Sequence, residues 1–90
     1  MASVHYLISG KVQGVGYRRF ALYHANRLDL TGFITNLEDK TVECIAQGST
    51  GNLSEFEMLL RQGPAHSRVE SVQCTDLETE PRVYSGFRIL

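Results

Sequence analysis

Ninety residues, 42% of them hydrophobic and 21% charged, suit one small folded domain and exclude a disordered chain; a single domain over residues 1–90 is expected. A formal net charge of −1 excludes a global field that would draw in nucleic acid or an acidic membrane. No run approaches the roughly 18 apolar residues that span a bilayer, and Val4–Ile8, interrupted by His5, is too short for a secretory core, so a cytoplasmic location is expected.

Val4, Tyr6, Ile8 and Val12 share one parity and predict a strand over Val4–Val12. Glycines follow at Gly14 and Gly16, and from Tyr17 onward Tyr17, Phe20, Ala21, His24, Ala25 and Leu28 fall at helical spacing. Leu28-Asp29-Leu30-Thr31-Gly32 closes that helix. Gly32–Leu37 and Thr41–Gln47 read as two strands of a hairpin around the polar turn Glu38-Asp39-Lys40. Asn52 is placed to cap a second helix, with Glu55 completing a capping box and Leu53, Phe56, Leu59 and Leu60 forming its apolar stripe. Gly63-Pro64 ends it, because proline cannot continue a helix. Val69–Leu77 and Ser85–Ile89 are the remaining strands, the second short and at an edge.

This β-α-β-β-α-β order with an extra terminal strand is the split βαβ pattern of the α+β ferredoxin-like fold. It predicts a mainly antiparallel sheet with both helices on one face. The first and second strands then run parallel with the third between them, so their C-terminal ends share an edge of the sheet. The glycine loop and Asn36 would face a common cleft there. Cys44 and Cys74 would flank the first strand at about two strand spacings, roughly 9–10 Å, which is too wide for a disulfide. They also lack metal-ligand spacing and read as reduced thiols.

Gly10-Lys11-Val12-Gln13-Gly14-Val15-Gly16-Tyr17-Arg18 is the stretch with chemical content. Glycines let successive N–H groups converge on one point, a helix N-terminus adds partial positive charge, and a guanidinium adds a full charge with forked donors. Together these describe a site for a phosphate-sized anion. It is not a P-loop, since no Lys-Ser or Lys-Thr pair follows, and Arg19 replaces the third glycine of a dinucleotide fingerprint. Arg18 and Arg19 oppose the helix dipole at a cost of about 0.3–1 kcal/mol each. Either an anion neutralises them or both lie in solvent, where screening makes the penalty small, and spacing alone leaves that choice open.

The same stretch resembles the signature of the acylphosphatase family, G-x-V-Q-G-V-x-[FY]-R. A second family segment, G-[aromatic]-V-x-N followed by an acidic turn and V-E, is similar to Gly32-Phe33-Ile34-Thr35-Asn36 and Thr41-Val42-Glu43. The resemblance extends over nearly the whole chain. It implies hydrolysis of the carboxyl-phosphate bond of acyl phosphates to a carboxylate and inorganic phosphate, without metal, cofactor or covalent intermediate. It implies that Gln13, Gly14, Val15, Gly16, Tyr17 and Arg18 cradle the phosphoryl group, that Arg18 clamps its charge, and that Asn36 orients the attacking water. The implied partners are a small-molecule acyl phosphate and inorganic phosphate as product and inhibitor; the charge and hydropathy above give no nucleic acid or membrane partner, and a monomer is the simple expectation.

Phe33, Thr35 and Lys40 depart from residues frequent in that family (tryptophan, arginine and glycine), and none removes a proposed catalytic group. Arg19 reads as a solvated helix residue, and Tyr17 as a side chain that packs the loop. His5, His24 and His66 show no ligand spacing. Two other readings are weighed: a non-enzymatic anion-binding module of the same fold, and an RNA-binding domain. The second lacks aromatics on the central strands beyond Tyr6.

Overall fold

The computed structural model describes residues 1–78 and 82–90. Its elements are β1 (Ala2–Lys11), α1 (Tyr17–Arg27), β2 (Thr31–Asn36), β3 (Val42–Gly48), α2 (Thr50–Gln62), β4 (Arg68–Asp76) and β5 (Phe87–Ile89). The order matches the sequence pattern, with element ends displaced by up to three residues. The strands form one sheet in the order β4-β1-β3-β2-β5. Neighbours are antiparallel except β2 and β5, which run parallel.

Alternation on the strands sends Tyr6 and Ile8, Val42 and Cys44, and Ile34 to the same side, where each is buried. The helices close over that side, α1 against β2 and β5 and α2 against β1, β3 and β4. From α1 come Tyr17, Ala21 and Ala25; from α2 come Leu53, Phe56 and Leu60. Phe20 and His24, which share their stripe by spacing, sit half-buried at the boundary. Cys44 and Cys74 both pair with Tyr6, one on each side of it, and both are free thiols.

The start of α2 differs from the sequence reading. The N-cap is Ser49, whose hydroxyl accepts from the backbone N–H of Asn52 at 3.2 Å. Asn52 therefore lies inside the first turn, and its side-chain amide donates to the Leu28 carbonyl at 3.0 Å, tying α2 to the end of α1. Glu55 forms no capping box; it pairs with Arg27 of α1 at 3.2 Å. Serine and asparagine are both good caps, and the tertiary demand of the Leu28 carbonyl decides between them. At the far end Gly63 takes φ 68°, and its N–H donates to the Leu59 carbonyl.

Between β4 and β5 the chain crosses from one edge of the sheet to the other. Gln47 at the end of β3 holds this crossing. Its Nε2 donates to the Arg82 carbonyl at 2.6 Å, and its Oε1 accepts from the Tyr84 N–H at 3.1 Å. A single buried side-chain amide thus satisfies donor and acceptor as a neighbouring strand would. The crossing reaches β2 where that strand begins, which is why β5 enters parallel to it, Gly32 opposite Phe87.

Candidate active site

β1 and β2 both run antiparallel to β3, so their C-terminal ends lie on one edge of the sheet. Ile8, Val42 and Asn36 occupy one row across that edge. Asn36 has the parity of buried Ile34, which turns its side chain toward the helices. Among the described residues its Oδ1 is buried without a hydrogen-bond partner, as is the Thr31 Oγ1 at the other end of β2. An unmet buried acceptor costs about 1–3 kcal/mol, so the Asn36 Oδ1 calls for a partner such as water or a bound group.

β1 is steered into its loop by a bulge. Ser9 pairs with Ser71 and Gly10 with Val69, leaving Glu70 of β4 as the extra residue. Gly10 has φ 120°, and a Cβ there would stand 2.1 Å from the Arg68 carbonyl oxygen, so no side chain fits. Because the extra residue is on β4, β1 keeps its alternation, and Val12 still reaches the core as the parity predicts.

Past Val12, Gly14 and Gly16 hold φ 73° and 80°, and a Cβ at either would meet nothing within 4 Å. The positive φ itself calls for glycine there, and the space beside both is open. Gly16 is the N-cap of α1, whose first turn has neither a capping side chain nor an acidic residue. Among the described residues, the backbone N–H groups of Gly14 through Arg19 have no acceptor within the protein. Arg18, half-buried, and Arg19, exposed, have no ion-pair partner there either. Unmet donors, the positive end of a helix and two unpaired guanidiniums meet at a cavity of about 400 Å³ lined by Gly14, Gly16, Tyr17, Arg18, Arg19 and Ile89.

The residues singled out in the sequence divide into four groups. Gly14, Gly16, Tyr17 and Arg18 line the cavity. Val15 is half-buried and packs on the core. Gln13 turns its side chain away: its Nε2 donates to the carbonyls of Leu37 and Thr41, each at 2.9 Å. That clasp joins the loop to the hairpin directly after Asn36, while Asn36 itself does not line the cavity.

The Tyr17 hydroxyl is committed as well, donating to the Leu60 carbonyl at 2.7 Å inside the core. Burial, with the Cys44 thiol a lesser cause, pushes its phenol well above the ordinary range, so it stays a donor. The sequence reading gave no role to Ile89 at the cavity, and read Arg19 as a solvated helix residue where the structure sets it in the lining. Ile89 gets there because β5 pairs with β2, a tertiary fact with no local signature.

A second cavity of about 390 Å³ lies on the open face of the sheet, lined in part by Phe33, Tyr84 and Arg88. Neither Arg18, Asn36, Gly14 nor Gly16 reaches it. His5 pairs with Glu43 at 3.0 Å. His24 stacks edge-on against Phe20 and Tyr23, and burial followed by the Arg27 charge lowers its pKa. Among the described residues no helix is long and apolar enough to cross a membrane.

Comparison with known proteins decides the family. The acylphosphatase family profile matches residues 4–89. The chain belongs to the acylphosphatase family. It is 42% identical over 87 residues to the acylphosphatase of Chlorobaculum tepidum, covering 97% of this chain and 94% of that one. The crystal structure of acylphosphatase from Bacillus subtilis superposes with a TM-score of 0.95 at 29% identity, covering 100% and 99% of the two chains. The structure of an acylphosphatase from Coxiella burnetii gives 0.92 at 34% identity, covering 99% and 92%.

Acylphosphatases are hydrolases, and membership implies an acyl phosphate substrate and phosphate as product. The departures from the acylphosphatase pattern sit away from the cavity. Phe33 packs against Tyr84 with ring centroids 5.8 Å apart, and the Thr35 hydroxyl donates to the Leu90 carbonyl at 3.3 Å. Lys40 adopts φ 73° in the hairpin turn, the conformation glycine takes most easily.

Proposed function

We propose that residues 1–90 act as one monomeric cytoplasmic domain that hydrolyses acyl phosphates without a metal ion. The phosphoryl group sits in the loop, held by backbone N–H groups of Gln13 through Arg18 and by the Arg18 guanidinium. Asn36 orients the water. Phosphoryl transfer demands positioning and stabilisation of the equatorial oxygens more than a strong base. An acyl phosphate carries a good leaving group, so a neutral amide suffices to aim the nucleophile. Asn36 has a carbonyl acceptor for the water's proton and N–H donors for its lone pairs or for phosphate. A phosphate oxygen of the substrate takes the proton as the P–O bond to the carboxylate breaks. The loop grips only phosphate, so varied acyl groups are accepted.

The observation that carries this reading is the run of unmet N–H donors from Gly14 through Arg19 beside an unpaired Arg18. The test is phosphate release from benzoyl phosphate in the presence of a chelator. Arg18→Ala and Asn36→Ala are expected to lose about 10²–10³ in rate, as preorganised polar groups do elsewhere. Arg18→Lys is also expected to fail, since a point charge does not replace the planar fork. Arg19→Ala stays largely active, and inorganic phosphate inhibits competitively. Wild-type protein no faster than background would leave the anion-binding module as the better reading. Active wild type with unimpaired Arg18→Ala and Asn36→Ala would overturn the residue roles alone.

A further inference from the structure

We propose that Gln13 is a positioning residue: its side-chain amide locks the hairpin that carries Asn36 to the phosphate loop, and so sets where the water is held. This rests on the role given to Asn36 above. Nε2 of Gln13 carries two hydrogens, and each finds a backbone carbonyl at 2.9 Å, Leu37 on one side of the hairpin turn and Thr41 on the other. Those carbonyls also close the turn, Thr41 accepting from the Leu37 N–H and Leu37 from the Lys40 N–H. One amide therefore pins both strands of the hairpin at its neck, adjoining Asn36.

Asn36 depends on that pin because its own Oδ1 has no partner. Its placement comes from the backbone, which leaves β2 immediately afterward. Along the chain Gln13 and Leu37 are 24 residues apart with all of α1 between them, so the clasp is the short route from cradle to hairpin. Only a side chain of glutamine's length and donor count does this. Glutamate would set a carboxylate against two carbonyl oxygens, and methionine would fill the volume without donating. A displacement of the water-holding group by about 1 Å costs up to roughly 10²-fold in rate.

The experiment is steady-state hydrolysis of benzoyl phosphate by Gln13→Met and Gln13→Glu, with inhibition by inorganic phosphate measured in parallel. Thermal unfolding of each variant is recorded so that assays run well below its midpoint. Expected is a loss of about 10–100-fold in kcat, with the phosphate inhibition constant changed by less than about threefold, because cradle and Arg18 stay in place. In an Asn36→Ala background the expected further loss from Gln13→Met is nil, since the pin then holds nothing the reaction uses. A phosphate inhibition constant that rises as steeply as kcat falls would overturn the proposal and show that the Gln13 side chain shapes the cradle rather than the hairpin. Additive losses in the double variant, or an unchanged kcat in Gln13→Met beside a crippled Asn36→Ala, would also overturn it. Asn36→Ala with the wild-type rate is a separate outcome that removes the role of Asn36 and this proposal with it.

Discussion

Replacing Tyr17 by phenylalanine separates the scaffold from the site, because this tyrosine touches both. The residue lines the cavity, yet its side chain is buried in the core, where its hydroxyl donates to the Leu60 carbonyl at 2.7 Å. Leu60 lies four residues before Pro64, and proline has no N–H to offer the carbonyl that a continuing helix would satisfy. Tyr17→Phe thus removes the donor from a carbonyl whose helical partner is already missing. Leaving such a group unmet costs about 1–3 kcal/mol. With unfolding entropies typical of a 60–100-residue domain, about 4–8 °C follow from each kcal/mol, so the midpoint should fall by roughly 5–20 °C. Hydrolysis of benzoyl phosphate well below that midpoint should stay within about twofold of wild type, because the hydroxyl faces away from the cavity. Circular dichroism melting and the phosphate-release assay read the two quantities. An unmoved midpoint with a rate loss beyond about tenfold would show that the hydroxyl serves the substrate, and this reasoning would fail.

Other outcomes follow from the loop and the hairpin. Gly16→Ala forces a side chain into φ 80° and toward the cavity; it should cost about 1–2 kcal/mol in stability and weaken inhibition by phosphate, both measurable on one preparation. Lys40→Gly relieves φ 73° at an exposed turn; the relief of about 1–2 kcal/mol exceeds glycine's unfolded-state entropy of about 0.4–1 kcal/mol, so the unfolding midpoint should rise by up to about 8 °C without altering kcat. The Thr41 hydroxyl, and after it the Thr41 N–H, hold the Asp39 carboxyl below its ordinary 3.8. Its contribution is fully present above that value and lost as pH falls through the lowered pKa, so an acid titration of Asp39→Asn should be flatter there than wild type.

Much of this molecule was legible because its signals are local. Period-two alternation in Val4–Val12 and the Gly63-Pro64 stop fall where the pattern puts them, and Arg18 stands on the first turn of α1 beside its glycines. What stayed hidden was set by partners far along the chain. The α2 cap moved from Asn52 to Ser49 because Asn52 is claimed by Leu28, and Gln13 points at a hairpin no local rule connects to it. Likewise Ile89 reaches the cavity only because the Gln47 clasp steers the chain to the β2 edge.

The unmatched Glu70 bears on how copies of this protein coexist at high concentration. β4 is the longest open border of the sheet, nine residues with mostly exposed side chains, and such a border is a template for accretion of further chains. A copy zipping along it from the Arg68 end meets a kink and a carboxylate after two residues, so regular pairing is confined to Ser71–Asp76. The irregularity that aims one end of β1 at its loop therefore also blunts the strand beside it.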